Sequence, residues 1–161
     1  MFQLLDEKRN PDVRDIAQVM ENAYRAGKDI RNMPQSTCEV SGSERDHRIP
    51  RLRVRFTAYS KHADFPDVSD QGVHVSTRER KAVHLSYDCV STRVGSTQDI
   101  PLRIGLLFHD RWDDSKGEAV LRADYLAITH SAALAVAKEL QCADDGGLPP
   151  HAEALPPPDA P

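Results

Sequence analysis

The run RLRVRFTAYS at 51–60 alternates guanidinium and apolar side chains through its first six positions. Side chains on a strand point to opposite faces with a period of two. Held as a strand, this run must bury Leu52, Val54 and Phe56 on one side and present Arg51, Arg53 and Arg55 on the other. Such a strand does not suit a sheet covered on both faces. It calls for a one-sided sheet, with helices as the cover.

Three further segments alternate in the same way. Residues 72–77 set Val73 and Val75 against His74 and Ser76. Residues 81–90 set Val83, Leu85 and Tyr87 against His84, Ser86 and Asp88. Residues 100–109 set Ile100, Leu102, Ile104, Leu106 and Phe108 against Arg103 and His109. The middle two read as a hairpin. For both apolar sets to meet one core, the loop between them must contain an odd number of residues. A loop of Arg78, Glu79 and Arg80 meets that condition and pairs Val75 with Val83 and His74 with His84. Residues 34–50, 61–71 and 91–99 carry Pro, Ser, Gly and mixed charge without a period and read as loops.

Helices are expected at both ends. Asn10 can cap and Pro11 suits a first helical position, and Val13, Ile16, Ala17, Met20, Ala23 and Tyr24 then recur at helical spacing. At the other end Ser115-x-x-Glu118 has the form of a capping box. It opens a helix over 116–141 with a stripe of Leu121, Tyr125, Ile128, Ala132 and Ala135 or Val136, widened by Leu126, Ala133, Ala137 and Leu140. The competing reading makes 119–125 a fifth strand and starts the helix near Thr129. The resulting architecture is α+β: a four-stranded antiparallel meander with the N- and C-terminal helices packed on one face, a two-layer sandwich forming one domain over residues 1–142. From Ala143 onward Gly146-Gly147 and six of the eleven prolines crowd the chain, so 143–161 reads as a disordered Pro-rich tail.

The net charge of −4 argues against a strongly basic nucleic-acid binder and leaves room for a local basic patch. Cys38, Cys89 and Cys142 are odd in number and widely spaced. That spacing predicts neither a disulfide framework nor a zinc site, and it matches a reducing cytoplasm. The longest mostly apolar stretch, 126–137, is too short to span a bilayer and contains Thr129, His130 and Ser131. No membrane partner is expected.

The face opposite the helices is where function is expected. It gathers Arg51, Arg53, Arg55 and Arg103 as ligand-binding candidates, with His74, His84 and His109 beside them and Asp88 as an acid. Arginine forks bind phosphates and carboxylates. The leading reading is therefore a non-enzymatic binding or adaptor protein that presents this face to an anionic ligand or an acidic protein surface. Mobile-element, chaperone and immunity proteins include chains of this kind, and no residue selects among them. A homodimer in which two such faces meet is a further arrangement, and a plain solvated outer face is the default for any one-sided sheet. Nucleic acid is not favoured, because Tyr59 is the only aromatic platform on the face.

The alternative is an enzyme. His74-Val-Ser76 and His84-Leu-Ser86 repeat the pattern His-x-Ser. Two such elements on antiparallel strands resemble those of the two-histidine phosphoesterases, although here they are neighbours in one hairpin rather than in separate halves of a duplicated fold. The resemblance covers these two tripeptides and implies a small phosphoester hydrolase with His74 and His84 as catalytic base and acid. His74, His84, Asp88 and His109 are the metal-ligand candidates, and a metal is not favoured. No cofactor is expected, since the chain has no P-loop, no GxGxxG after a strand and no GxSxG.

Overall fold

The computed structural model describes residues 12–30, 37–40, 52–59, 72–78, 82–110 and 118–158. Arg51, Ser115 and residues 112–114 lie outside them. The elements run α1 (Val13–Arg25), β1 (Thr37–Val40), β2 (Leu52–Tyr59), β3 (His74–Arg78), β4 (Ala82–Cys89), β5 (Leu102–Asp110) and α2 (Glu118–Glu139). The strands pair antiparallel in one sheet of order β1-β2-β5-β4-β3. Both helices pack against it, giving the α+β architecture that alternation predicts.

Within that architecture the expected four-stranded meander is corrected: the sheet has five strands, and β2 lies beside β5 instead of β3. β3, β4 and β5 follow one another as a meander, and β2 then closes on the free side of β5. β5 thereby gains a partner on each side, as suits the strand whose Leu102, Ile104, Leu106 and Phe108 are all at most 1% exposed. Residues 37–40, expected within a loop, form the short edge strand β1 against β2. After α1 the chain also bridges β2: the Ile30 and Ala58 backbones exchange hydrogen bonds of 2.8 and 3.1 Å.

The hairpin register differs from expectation by two residues. Val75 pairs with Leu85, Ser76 with His84 and His74 with Ser86, and the last pair is Arg78 with Ala82. Three residues, 79–81, separate that pair, so the loop is odd as required. It sits one position later along the chain, which shifts each pairing by two and leaves every side chain on its expected face.

α1 starts at Asp12 rather than at Asn10. The Asp12 side chain accepts from the Arg14 N–H at 3.2 Å, and the Asp15 side chain accepts from the Asp12 N–H at 3.2 Å, a reciprocal cap. Ile16, Ala17, Met20 and Ala23 face the core as their spacing predicts. α2 is one helix from Glu118, so 119–125 is not a strand. Its buried side is rotated from the expected stripe: Tyr125, Thr129, Ala133, Val136, Ala137 and Leu140 are buried, whereas Ile128 is 44% exposed. Thr129 can sit inside because its hydroxyl donates to the Tyr125 carbonyl one turn back, at 2.7 Å. Tyr125 packs on Phe108 with ring centroids 4.7 Å apart.

The cysteine expectation is overturned. Cys89 at the end of β4 and Cys142 after α2 form a disulfide, with Cα atoms 5.0 Å apart and a sequence separation of 53. Closing a loop of that size removes unfolded-state entropy equivalent to about 4 kcal/mol in the chain-entropy model. The tail expectation is also corrected over 143–158. Leu148 is buried in the core, Leu155 packs against its edge, and the His130 Nε2–H donates to the Pro149 carbonyl at 2.8 Å. The path depends on left-handed backbone: φ is 48° at Asp144, 50° at Asp145 and 73° at Gly146. Gly146 is required twice over, since a Cβ there would lie 2.5 Å from the Tyr87 ring as well as demanding that backbone.

The segment between β4 and β5 seats the end of α2. Gln141 takes the left-handed position (φ 56°), the Cys142 N–H bonds to the Ala137 carbonyl and the Gln141 N–H to the Lys138 carbonyl. This is a Schellman closure built without glycine. The Ser91 hydroxyl donates to the Leu140 carbonyl. Arg93 reaches both helices: its Nε donates to Glu21 Oε2 of α1 at 3.0 Å, and its Nη1 donates to the Glu139 carbonyl and to Glu139 Oε1 of α2. Arg25 adds a second bond to Glu21 at 3.0 Å and another to the Arg93 carbonyl at 2.6 Å. Glu21 is thus a buried carboxylate held by two guanidinium groups.

Replacing Arg93 with Ala would leave the buried Glu21 carboxylate with Arg25 alone and the Glu139 carbonyl without its donor. The expected loss is about 2–3 kcal/mol of unfolding free energy. It would be read as a lower denaturant midpoint at unchanged slope, with Arg93→Lys recovering only part of it because one ammonium does not span both helices.

Candidate anion-binding face

The register lays out the helix-free face row by row. One row runs Arg53, His109, Ala82, Arg78, with Glu39 beside Arg53 in β1; the next runs Arg55, Leu107, His84, Ser76, with Thr37 beside Arg55. A third runs Thr57, Gly105, Ser86, His74, and the last runs Tyr59, Arg103, Asp88. All predicted candidates within the described residues therefore fall on one face. Arg51 lies outside them, and for Arg53 the backbone position is described but the side chain is not. On the reverse are Phe56, Ile104, Leu85 and Val75, all in the core.

The side chains of this face are partly covered: Arg55, Tyr59, His74, His84, Leu107 and His109 are all half-buried, and Ser86 is buried. Gly105 leaves a stretch of bare backbone among them. A Cβ there would lie 2.6 Å from Thr57 Oγ1 and 3.2 Å from His84 Nε2, so a bare backbone lets Thr57 and the His84 imidazole reach over β5 from either side. Thr57 Oγ1 also donates to the Gly105 carbonyl at 3.1 Å. Sequence reasoning passed over Gly105. Its signal was available, since a glycine inside an alternating strand marks a place where neighbours approach the backbone closely.

Arg103 and Asp88 form a built-in ion pair. Arg103 Nη1 donates to Asp88 Oδ1 at 3.0 Å, with the two side chains 13% and 17% exposed. Asp88 Oδ2 accepts from the Gly72 N–H at 2.8 Å, so the carboxylate also ties β4 to the entrance of β3. Arg103 Nη2 makes a long 3.4 Å contact with Ser86 Oγ, and its buried Nε–H finds no acceptor among the described residues. Of the predicted anion ligands, Arg103 is thus matched to an acid of the chain itself.

The register also separates the two histidines. His84 is opposite Ser76 and His74 opposite Ser86, which makes the imidazoles diagonal neighbours across the hairpin rather than a facing pair. His109 is likewise diagonal to His84, whose direct partner on β5 is Leu107. Among the described residues no three His, Cys, Asp or Glu side chains are grouped to hold a metal ion. Away from this face, burial raises the pKa of the Tyr87 hydroxyl, which donates to the Ala133 carbonyl at 3.2 Å and is a structural group.

No family model, curated protein or solved structure matches the chain. Among the described residues no helix is long and apolar enough to cross a membrane.

The Arg103–Asp88 pair has a measurable signature. Asp88→Ala should cost about 3 kcal/mol, because it leaves a buried guanidinium without its counter-charge. The double variant Asp88→Ala/Arg103→Ala should be less destabilised than Asp88→Ala alone, a coupling that a thermal or denaturant double-mutant cycle would measure.

Proposed function

We propose that the protein is a non-enzymatic binding module whose Arg/His face captures an acidic segment of a partner protein. The observation that carries this reading is the gathering of Arg55, His74, His84 and His109 on one side of the sheet by the pairing register. On that side Asp88 is paired with Arg103, and Glu39 stands opposite Arg53 at the β1 edge. The whole chain carries −4, so a local excess of cationic and imidazole groups orients it toward an acidic partner. Leu107 between Arg55 and His84 suits a carboxylate-bearing peptide, whose aliphatic stem can lie on the leucine. In this reading Arg55 and His84 contact the partner, and Arg103 fixes the shape of the face through Asp88.

The disulfide supports an oxidising compartment as the site of action, in place of the reducing cytoplasm suggested by cysteine spacing.

A fluorescently labelled poly-glutamate peptide tests the binding reading. Arg55→Ala/His84→Ala should weaken its capture by at least about tenfold, roughly 1.4 kcal/mol. Capture by the unaltered protein should fall as salt rises from about 0.05 to about 0.5 M. Equal capture by the variant, or capture indifferent to salt, would reject the assignment.

A further inference from the structure

We infer that residues 143–158 are a redox-latched cover over the Tyr87 end of the core, docked while the Cys89–Cys142 bond is closed and released when a dithiol opens it.

Apart from the disulfide, the attachments among the described residues are few. The Ala143 N–H bonds to the Val90 carbonyl at 2.8 Å, His130 donates to the Pro149 carbonyl, and Leu148 and Leu155 supply the apolar contacts. Only Gly146 and Leu148 are buried between 143 and 158. Against these stands backbone that L-residues avoid, taken twice in succession at Asp144 and Asp145, whose neighbouring carboxylates also repel. A segment with so few buried contacts belongs to the low-stability end of a structure and opens locally before the sheet does. The disulfide grips it at its first turn, one residue before Ala143, and joins it to the last residue of β4.

What lies beneath is specific. Gly146 sits on the ring of Tyr87 and beside the Asp88 carbonyl, and Gly147 faces Val73. Tyr87 is 0% exposed and His130 is 3% exposed with the segment in place. Release uncovers one side of the Tyr87 ring and the His130 imidazole. The rest of the core is held by other means: β5 pairs with β2 and β4, and Arg93 joins the helices. The bond therefore controls a local unit. In the step itself a dithiol thiolate attacks one cystine sulfur, a mixed disulfide forms, and the second thiol displaces the remaining protein sulfur. The products are two cysteine thiols, each having taken up a proton, and the cyclic disulfide of the oxidised dithiol.

Hydrogen exchange followed by mass spectrometry tests the latch on three samples: the oxidised full chain, the same chain in dithiothreitol, and Cys142→Ala. Alkylation in parallel counts the thiols, and the Cys142→Ala sample decides the matter if the buried bond resists the reagent. The expected result is exchange on the order of 100-fold faster across 143–158 in the reduced or substituted protein, by a local opening under conditions where the β2, β4 and β5 amides remain protected and exchange only through global unfolding. Unchanged exchange in 143–158 in Cys142→Ala would overturn the inference. So would loss of protection in sheet and segment together, which would make the bond a global staple instead of a latch.

Discussion

The pairing of β5 along its length with β2 on one side and β4 on the other is the constraint on which the molecule depends. In a pleated strand each register choice assigns every side chain to a face. Two long registers sharing one central strand therefore assign three strands at once. Ile104 and Leu106 must go to the helices, and Gly105 with its neighbours Thr57 and Ser86 must go to the other side. A slip of one residue in either pairing would drive arginine or histidine into the core and leave Leu85 or Phe56 in water. The composition of the candidate site follows from this pairing.

The sheet would still lack a lid without the connection from β4 to β5. That segment ends one strand, begins the next, and in between supplies the partners for the last carbonyls of α2. Ser91, Ser96 and Arg93 look like loop residues in sequence. In the structure Ser91 and Ser96 are 2% and 5% exposed and bond to backbone groups and to each other. Helix ends leave carbonyls without intrahelical partners. Here the Schellman closure, a serine hydroxyl and a guanidinium meet that need together, and the same guanidinium draws in α1 through Glu21. The cover of the sheet is attached at this corner by polar contacts, at mid-helix by the Tyr87 hydroxyl on the Ala133 carbonyl, and otherwise by apolar packing.

The parts legible in the sequence are those governed by short periods. Alternation identified four strands and their faces, and helical spacing identified α1 and its buried side. Longer-range choices were not legible. The hairpin loop obeyed parity, but parity alone does not separate a loop at 78–80 from one at 79–81, and that single step decides whether His74 faces His84. The stripe of α2 misled because alanines and leucines surround the helix, leaving Thr129 and His130 to reveal the buried side through hydrogen bonds that periodicity does not register. The Cys89–Cys142 bond joins residues 53 apart in a chain with a third cysteine, and only the fold brings those two together. The segment after it is rich in Gly and Pro, as disordered chains are; Leu148 and a glycine able to lie on Tyr87 give it a place to dock.

The candidate face shows why residue type alone overstates a binding surface. Arg55 and Arg103 are chemically alike and stand two rows apart on one sheet. Arg103 lies 3.0 Å from a carboxylate that is itself tied to the Gly72 N–H, with both side chains under a fifth exposed. Its charge is answered within the chain, and its field beyond the sheet is largely that of a dipole, which decays faster than that of an ion. The same reasoning removes Arg25 and Arg93, which are matched to Glu21 and Glu139. Among the described residues three guanidinium groups are thus structural. At the centre of the sheet Gly105 leaves bare backbone, and Thr57 and His84 close over it from the two neighbouring strands.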